Sequence, residues 1–162
     1  MRKGFVMKAA ELAMKYIAAD ILCMFIVLTF APAGNTVFRY AGLACSAGVM
    51  AAMMISFAAS EANKYGKGGA GAAEGIIGTA FVPLTSWGVL MASVGAGFDY
   101  YKWHKLLNAD FLYAYNLIEH DASSSALSFG EVLVMLVFAV IPPAVYGITY
   151  ALVRKGVILS KS

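Results

Sequence analysis

Asp20 is the residue whose surroundings point most directly to chemistry. It precedes an apolar run that ends near Ala33, and the 13 residues from Ile21 to Ala33 extend only about 20 Å as a helix. A helix needs about 20 residues to cross a hydrocarbon core of ~30 Å. A spanning helix must therefore begin near Met14, which places Asp20 roughly 9 Å inside the cytoplasmic boundary.

A carboxylate at that depth costs ~2.5–3.5 kcal/mol to insert unless it faces protein, water or a cation. Hydroxyl-bearing residues reach a similar depth on three other apolar stretches, and they are Ser56, Thr79, Tyr146, Thr149 and Tyr150. We predict that these residues form one polar cluster in which Asp20 binds a cation or a proton on a transport path. The alternative is a border carboxylate near the lipid headgroups, or a structural hydrogen bond from Asp20 to one of the tyrosines.

Two apolar stretches carry proline near their middle, Pro83 in one and the pair Pro142 and Pro143 in the other. Each proline removes a backbone donor and frees a carbonyl, which persists in lipid only where it faces protein or a wet cavity. Many transporters build their central sites from interrupted helices of this kind. Thr85, Ser86 and Trp87 follow Pro83 and would supply donors and an aromatic wall. Kinks that only shape helix packing are the alternative.

Signatures of other chemistry are missing from the sequence. His104 and His120 lie 16 residues apart, a spacing that matches no metal-ligand pattern, so we predict neither a metal nor a cofactor. The glycines at 69, 71 and 75 match neither phosphate-binding pattern. No hydrolytic motif of the HExxH or GxSxG type is present, which disfavours an enzyme.

The residues above must be positioned by helices that cross a membrane. The chain has 162 residues, of which 61% are apolar and only 13% charged, and its mean hydropathy is +0.75. A soluble domain carries about a quarter charged residues, and its buried helices each need a charged face. The charges instead leave four stretches free, which are 21–38, 40–60, 75–98 and 132–153. The net charge of +3 is too small and scattered for nucleic-acid binding.

The predicted fold is therefore all-α: a polytopic membrane protein with a single membrane domain. Its four transmembrane helices span approximately 14–33, 40–60, 75–97 and 131–153, and an N-terminal amphipathic segment precedes the first. Residues 101–119 predict one extracytoplasmic interfacial helix, because Trp103, Leu107 and Phe111 share one helical face. Ser128 and Glu131 have the spacing of a capping box and mark the start of the last helix.

The distribution of lysine and arginine predicts that both termini are cytoplasmic. Nine of these residues lie on the side of the termini and the 61–74 loop, and three lie on the opposite side. Cytoplasmic loops retain positive charge during insertion, so we expect a multi-pass protein of a cell membrane of the bacterial inner-membrane type. A signal peptide cleaved after Ala31-Pro32-Ala33 is the alternative for residues 1–33, and Asp20 argues against it.

Small residues recur every four positions along the second span, and they are Ala44, Gly48, Ala52, Ser56 and Ser60. In lipid, such a stripe lets two helix backbones approach closely. The partner helix belongs to this chain, to a second copy in a homo-oligomer, or to another membrane subunit, and the sequence leaves the three alternatives open.

Two functions fit these features. The first is a small transport or pore-forming subunit, working as a homo-oligomer or beside a partner in the lipid bilayer. The second is a non-transporting accessory subunit that assembles into a membrane complex through the small-residue stripe. A holin-like lytic pore shares the small size. Transport requires a polar, hydrated cavity that reaches Asp20 or Pro83, whereas an accessory protein can have a dry core.

Overall fold

The computed structural model describes residues 3–31 and 35–157, which are mostly helical. The helices are α1 (Lys3–Phe30), α2 (Thr36–Asn63), α3 (Ala72–Ala96), α4 (Tyr101–Leu106), α5 (Leu112–Ile118) and α6 (Phe129–Arg154), with single 3-10 turns at Ala109–Phe111 and Ser124–Ala126. The four long helices are long and apolar enough to cross a membrane. The predicted all-α, multi-pass membrane fold is confirmed.

The long helices pack as a ring in the order α1, α2, α6, α3, in which each contacts two long neighbours. We call the end of the bundle with Phe30 and Ala96 the hairpin end, and the end with Asn63 and Arg154 the terminal end. The core has three layers: one at the hairpin end around Leu90, Val132 and Met135, one in the middle around Cys23, Met50 and Met54, and one at the terminal end around Leu12, Ala58 and Val153.

Local capping explains where several helices begin and end. The side chain of Asn35 accepts the backbone N–H of Val37 and starts α2. Gly97 ends α3 in the left-handed region at φ 76°, which only glycine adopts without strain. The predicted capping box of α6 is confirmed, because the side chains of Ser128 and Glu131 bond reciprocally to each other's backbone N–H.

Helix α1 extends further toward the N-terminus than the predicted span. It is one continuous helix, since no proline or glycine interrupts residues 5–30, and the amphipathic segment forms its first turns. Asp20 lies ten residues before the end at Phe30, or about 15 Å below the hairpin end at 1.5 Å per residue. Counted from the terminal end, Asp20 lies 17 residues after the start of α1 at Lys3, and not six residues after a start at Met14 as predicted. Pro32 and Ala33 of the alternative cleavage site lie outside the described residues.

The segment between α3 and α6 differs from the single interfacial helix that we predicted. Helices α4 and α5 form the two limbs of a hairpin whose tip is the 3-10 turn at 109–111. The tip contacts both α1 and α2, while α4 contacts α3 and α5 contacts α2. This hairpin enters the bundle from the end where α3 finishes, instead of lying across it.

Hydrogen bonds from three long helices show how deep the hairpin reaches. Asp20 of α1, Ser46 of α2 and Ser86 of α3 each bond to it. Each of these residues lies ten positions from the hairpin end of its own helix, which corresponds to about 15 Å. For comparison, the hydrocarbon core of a bilayer is ~30 Å thick, so the tip lies well within the membrane region of the bundle.

The chain turns at the tip because Asn108 ends the first limb. Its backbone leaves the helical region at φ −141° and ψ 52°, and its side-chain Nδ2 donates to the carbonyl of His104 at 2.9 Å. That carbonyl is the acceptor which the backbone N–H of residue 108 would use in a continued α-helix. The hydrophobic pattern that predicts one helix over 101–119 carries no information about this side-chain hydrogen bond, which replaces a backbone bond of the helix.

Lys105 joins the two limbs of the hairpin. Its Nζ donates to Oδ1 of Asn116 at 2.8 Å and to the carbonyl oxygens of Asp121 at 2.9 Å and of Glu119 and His120 at 3.2 Å. These oxygens surround the C-terminal end of α5, where a positive charge is favoured by the helix dipole. Lys105 is thus a structural cation of the hairpin.

Candidate functional site

Two carboxylates lie together where the hairpin tip meets α1. Asp20 is 6% exposed and Asp110 is fully buried. Oδ1 of Asp20 accepts the backbone N–H of Ala109 at 2.7 Å, although the two residues are 89 positions apart in the chain. Burial first, and then the negative charge of Asp20, raise the pKa of Asp110 well above its usual range. The tip therefore places two acidic groups within electrostatic reach of each other.

Asp110 differs from Asp20 in its bonding. Its backbone carbonyl accepts the hydroxyl of Ser46 at 2.8 Å. Its carboxyl group faces the backbone N–H groups of Asp110 and Phe111, but in the described part of the chain neither carboxyl oxygen makes a hydrogen bond of good geometry, because the N–H of Phe111 donates to Asn108. Buried polar atoms are almost always paired. The backbone at Asp110 is therefore held in place while its side chain keeps both oxygens available.

Two buried tyrosines complete this group. Tyr16 and Tyr115 are fully buried, and within the described residues their hydroxyls have no hydrogen-bond partner. Tyr16 lies within electrostatic reach of Asp110, Asp20 and Tyr115. Burial, and next the charge of Asp110, raise the pKa of Tyr115 well above its usual range. We call Tyr16, Asp20, Asp110 and Tyr115 the tip cluster.

No basic side chain balances the tip cluster within residues 3–31 and 35–157. The ion pairs found there both involve Lys15, which contacts Glu11 at 2.8 Å and Glu61 at 3.2 Å, and Lys105 is bound to the oxygens of the hairpin. A buried charge without a partner is very costly, and such groups are neutralised instead. A proton or a bound cation must therefore compensate the two carboxylates.

His104 does not supply that charge. It is fully buried, its Nδ1 lies 2.8 Å from the hydroxyl oxygen of Ser86, and its ring packs against Tyr115 with the centroids 5.1 Å apart. Burial lowers the pKa of His104 to about 4. The imidazole is consequently neutral at physiological pH and links α4 to α3 as a hydrogen-bonding group.

The structure does not join Asp20 to the hydroxyl groups predicted to share its depth. Tyr146 and Tyr150 stack with ring centroids 6.1 Å apart and pack in the core layer at the terminal end. Thr79 donates to the carbonyl of Gly75 at 2.8 Å. Thr149 is buried in α6, whereas Ser56 is exposed on α2. Asp20 bonds to the hairpin instead, because the hairpin tip reaches its depth, whereas the hydroxyl groups lie nearer the terminal end.

The region after Pro83 makes two of the contacts that hold the bundle together. Pro83, Pro142 and Pro143 are all buried within their helices. Ser86 bonds to His104, and Nε1 of Trp87 donates to the carbonyl of Val132 on α6 at 2.8 Å. Thr85 points away from the core. The predicted polar site near Pro83 thus consists of anchoring contacts to the hairpin and to α6.

The small-residue stripe faces outward from the bundle. All five of its members are exposed, namely Ala44, Gly48, Ala52, Ser56 and Ser60. Helix α2 instead turns Gly42, Ser46, Met50 and Met54 toward the rest of the chain. The stripe is therefore not the surface through which α2 packs within the chain.

Sequence reasoning missed three members of the tip cluster, Tyr16, Asp110 and Tyr115. One signal was present, because Tyr16 lies four residues before Asp20 and thus on the same face of a helix. Asp110 offered a weaker signal as a lone charge in an aromatic-rich segment. The sequence holds no sign that Asp110 meets Asp20, since that contact depends on how far the hairpin enters the bundle.

A cavity opens at each end of the bundle. The cavity at the hairpin end has a volume of about 380 Å³ and is lined by groups that include Arg39, Tyr113 and His120. The cleft at the terminal end has a volume of about 600 Å³ and is lined by groups that include Glu74 and Arg154. Tyr113 lies one helical turn from Asp110, but none of the four tip-cluster residues lines either cavity.

No protein-family model, curated protein or solved structure matches this chain. Function must therefore be inferred from the chemistry of the buried groups and from the membrane-spanning architecture. Within the described residues, the tip cluster places two buried carboxyl groups at membrane depth, and neither forms an ion pair with a basic side chain.

Proposed function

We propose that this protein is a small transport subunit that moves a cation, either a proton or a metal ion, across the membrane by way of the tip cluster. The observation that carries the proposal is the buried carboxyl group of Asp110, whose two oxygens have no hydrogen-bond partner in the described residues. A structural carboxylate would be bonded as Asp20 is. Costly ionisable groups at membrane depth are typical of ion and proton pathways.

The arrangement of the hairpin supports this proposal. Asp20 fixes the tip through Ala109, so the hairpin delivers Asp110 to a defined position about 15 Å from the end of the bundle. Neither the cavity at the hairpin end nor the cleft near Tyr150 is lined by a tip-cluster residue or by Pro83, so the proposal requires the bundle to open before an ion can reach Asp110. The prolines inside α3 and α6 each remove a backbone hydrogen bond from their helix, which makes these two helices easier to bend.

Flux measurements on the full chain in proteoliposomes test the proposal. Proton uptake is followed with an internal pH dye and sodium uptake with a radioactive tracer. We expect Asp110→Asn and Asp20→Asn to abolish the flux that the wild type shows. The control is Asp121→Asn, which changes an exposed carboxylate on the same connection and should leave the flux unchanged. Undiminished flux in Asp110→Asn would refute the proposal.

We place the protein in a cell membrane of the bacterial inner-membrane type with both termini in the cytoplasm. The basic residues support this orientation, because Lys64, Lys67, Arg154 and Lys155 all lie at the terminal end of the bundle. The hairpin end, with Arg39 and the connection from 97 to 128, then faces the outside. The cation would enter the tip cluster from the external side.

A second candidate function is assembly, either with further copies or with another membrane subunit. The outward-facing stripe supports it, because five small exposed residues on one helix face suit close helix packing in lipid. Ala52→Leu should lower the native mass of the complex extracted in mild detergent. Ala92→Leu makes the same change at an exposed position of α3 and serves as the control. An unchanged mass in both variants would exclude the stripe as an interface.

A further inference from the structure

We infer that the tip cluster binds one partly dehydrated monovalent metal cation between Tyr16 and Asp20 of α1 and Asp110 and Tyr115 of the hairpin. This inference rests on the proposed function, because it names the class of ion that the transport subunit would carry. The site joins residues from the first helix and from the hairpin, so it exists only when the hairpin is inserted.

The first argument comes from the bonding of the four oxygens. The two carboxyl oxygens of Asp110 and the hydroxyls of Tyr16 and Tyr115 are buried, and within the described residues none of them bonds to another or to any other protein group. They lie on the two sides of one contact, because Tyr16 is one helical turn from Asp20 on α1 and Asp20 bonds at 2.7 Å to Ala109, which is next to Asp110. Buried oxygens that lack partners on both sides of one contact suit a cation that binds several of them at once.

Protons alone do not satisfy this group. A proton on Asp110 turns an acceptor into a donor, and the hydroxyls of Tyr16 and Tyr115 are donors already. The group would then hold three buried O–H donors, and each unsatisfied donor costs about 1–3 kcal/mol. A metal cation instead lets Asp110 stay ionised, with the retained proton on Asp20, so that the Asp110 carboxylate can accept the tyrosine O–H groups. Carboxylate and hydroxyl lone pairs then bind the ion, and such hard oxygen ligands suit it.

The charge of the site selects a monovalent ion. Two carboxylates within reach of each other do not both ionise readily, so one proton is retained by the pair of Asp20 and Asp110. One negative charge remains, which one monovalent cation balances. A calcium ion needs six to eight oxygen ligands, and in the described part of the chain no three acidic, histidine or cysteine side chains group as a metal site.

Thermal unfolding of the full-length protein in detergent tests the inference. Choline chloride is replaced stepwise by NaCl or by KCl at constant ionic strength. We expect the unfolding midpoint to rise and then saturate, because a ligand that binds only the folded state stabilises it. The salt that saturates at the lower concentration identifies the preferred ion.

Variants locate the effect in the tip cluster. Asp20→Asn and Asp110→Asn should lose the salt-specific rise, and Tyr16→Phe and Tyr115→Phe should weaken the apparent affinity about tenfold, or ~1.4 kcal/mol. The controls are Asp121→Asn and Tyr65→Phe, which change exposed groups and should behave like the wild type. Since the tyrosine variants remove only a hydroxyl, they decide the question if an aspartate variant fails to fold.

The inference is overturned if choline, sodium and potassium give the same midpoint, or if Asp110→Asn keeps the wild-type response. The flux experiment separates this failure from that of the proposed function. Asp110-dependent proton flux without metal binding overturns the metal site and leaves the transport proposal standing. Flux that is absent for every cation, with metal binding intact, overturns transport and leaves the site.

Discussion

At the scale of single residues, the two buried aspartates differ in what holds them. Asp20 accepts the backbone N–H of Ala109 and so contributes to the fold. Asp110 is buried without a side-chain partner in the described residues. One aspartate therefore stabilises the hairpin, whereas the other is retained at a cost in stability, as is common for residues kept for function.

This difference predicts opposite effects of replacing the two aspartates. Asp110→Asn should raise the unfolding midpoint at pH 7 in choline chloride, because it removes a buried ionisable group. The folded pKa of Asp110 is raised, so its cost grows as pH rises above the unfolded value, and the gain should be larger at pH 8 than at pH 5. Asp20→Ala should lower stability by about 1–3 kcal/mol, since the N–H of Ala109 loses its acceptor. Equal losses in both variants would assign Asp110 a structural role.

The burial of His104 predicts that acid lowers the stability of the folded protein. Burial lowers its folded pKa from 6.5 to about 4, so the unfolded state binds more protons between these two values. The contribution of His104 to stability is complete above pH 6.5 and is lost as pH falls toward 4. His104→Gln should show a smaller loss of midpoint between pH 7.5 and pH 5 than the wild type. His120→Gln, at an exposed site, should match the wild type, and the same slope in all three proteins would contradict this assignment.

At the scale of elements, the hairpin depends on a few polar contacts that replace regular helix bonding. Asn108 ends α4 by taking the carbonyl of His104, and Lys105 binds the oxygens at the end of α5. Both residues are buried, although one continuous helix over 101–119 would place them off the face shared by Trp103, Leu107 and Phe111. A buried polar residue that bonds to its own segment thus has the same sequence signature as a solvated one.

Lys105→Met should loosen the hairpin without unfolding the long helices. The variant keeps the apolar stem but removes the charged donor from four oxygens, and hydrogen bonds of charged groups contribute about 1.5–3 kcal/mol. We expect faster hydrogen exchange over residues 101–121 and little change in the cores of α2 and α6. Lys102→Met alters an exposed lysine on the same limb and should leave the exchange unaltered.

Two glycines on α2 offer a matched test of how the hairpin packs. A Cβ atom added at Gly42 would lie 2.6 Å from the ring of Tyr113, whereas one added at Gly48 meets nothing within 4 Å. Gly42→Ala should therefore destabilise the protein by roughly 1–3 kcal/mol through overpacking. Gly48→Ala should be neutral or stabilising by up to ~1 kcal/mol. Equal unfolding midpoints would show that Tyr113 can move away from α2.

At the scale of the whole molecule, the two ends of the bundle have different contents. The hairpin end holds the inserted segment and the tip cluster. Near the terminal end, Lys15 pairs with Glu61 and Tyr146 stacks on Tyr150. On the proposed transport path, a cation would leave the tip cluster toward this closely packed terminal layer.

The proposed orientation predicts the labelling of introduced cysteines. In a background with Cys45→Ala, which removes the exposed native thiol, Ala122→Cys should react with a membrane-impermeant maleimide in intact cells. Lys67→Cys should react only after the membrane is permeabilised. Both positions are exposed, so the comparison reports the side of the membrane. The reverse pattern would place the termini outside and invert the proposed transport direction.

The sequence by itself determined the four membrane helices and the start of α6 at Ser128. These features follow from local properties, because hydrocarbon excludes charge from each spanning stretch and a capping box needs residues only three positions apart. Only the tertiary structure decided that α4 and α5 enter the bundle, that Asp110 meets Asp20, and that the stripe on α2 faces outward. These outcomes depend on contacts between residues as far apart as 89 positions, and no local pattern of hydropathy encodes such a distance.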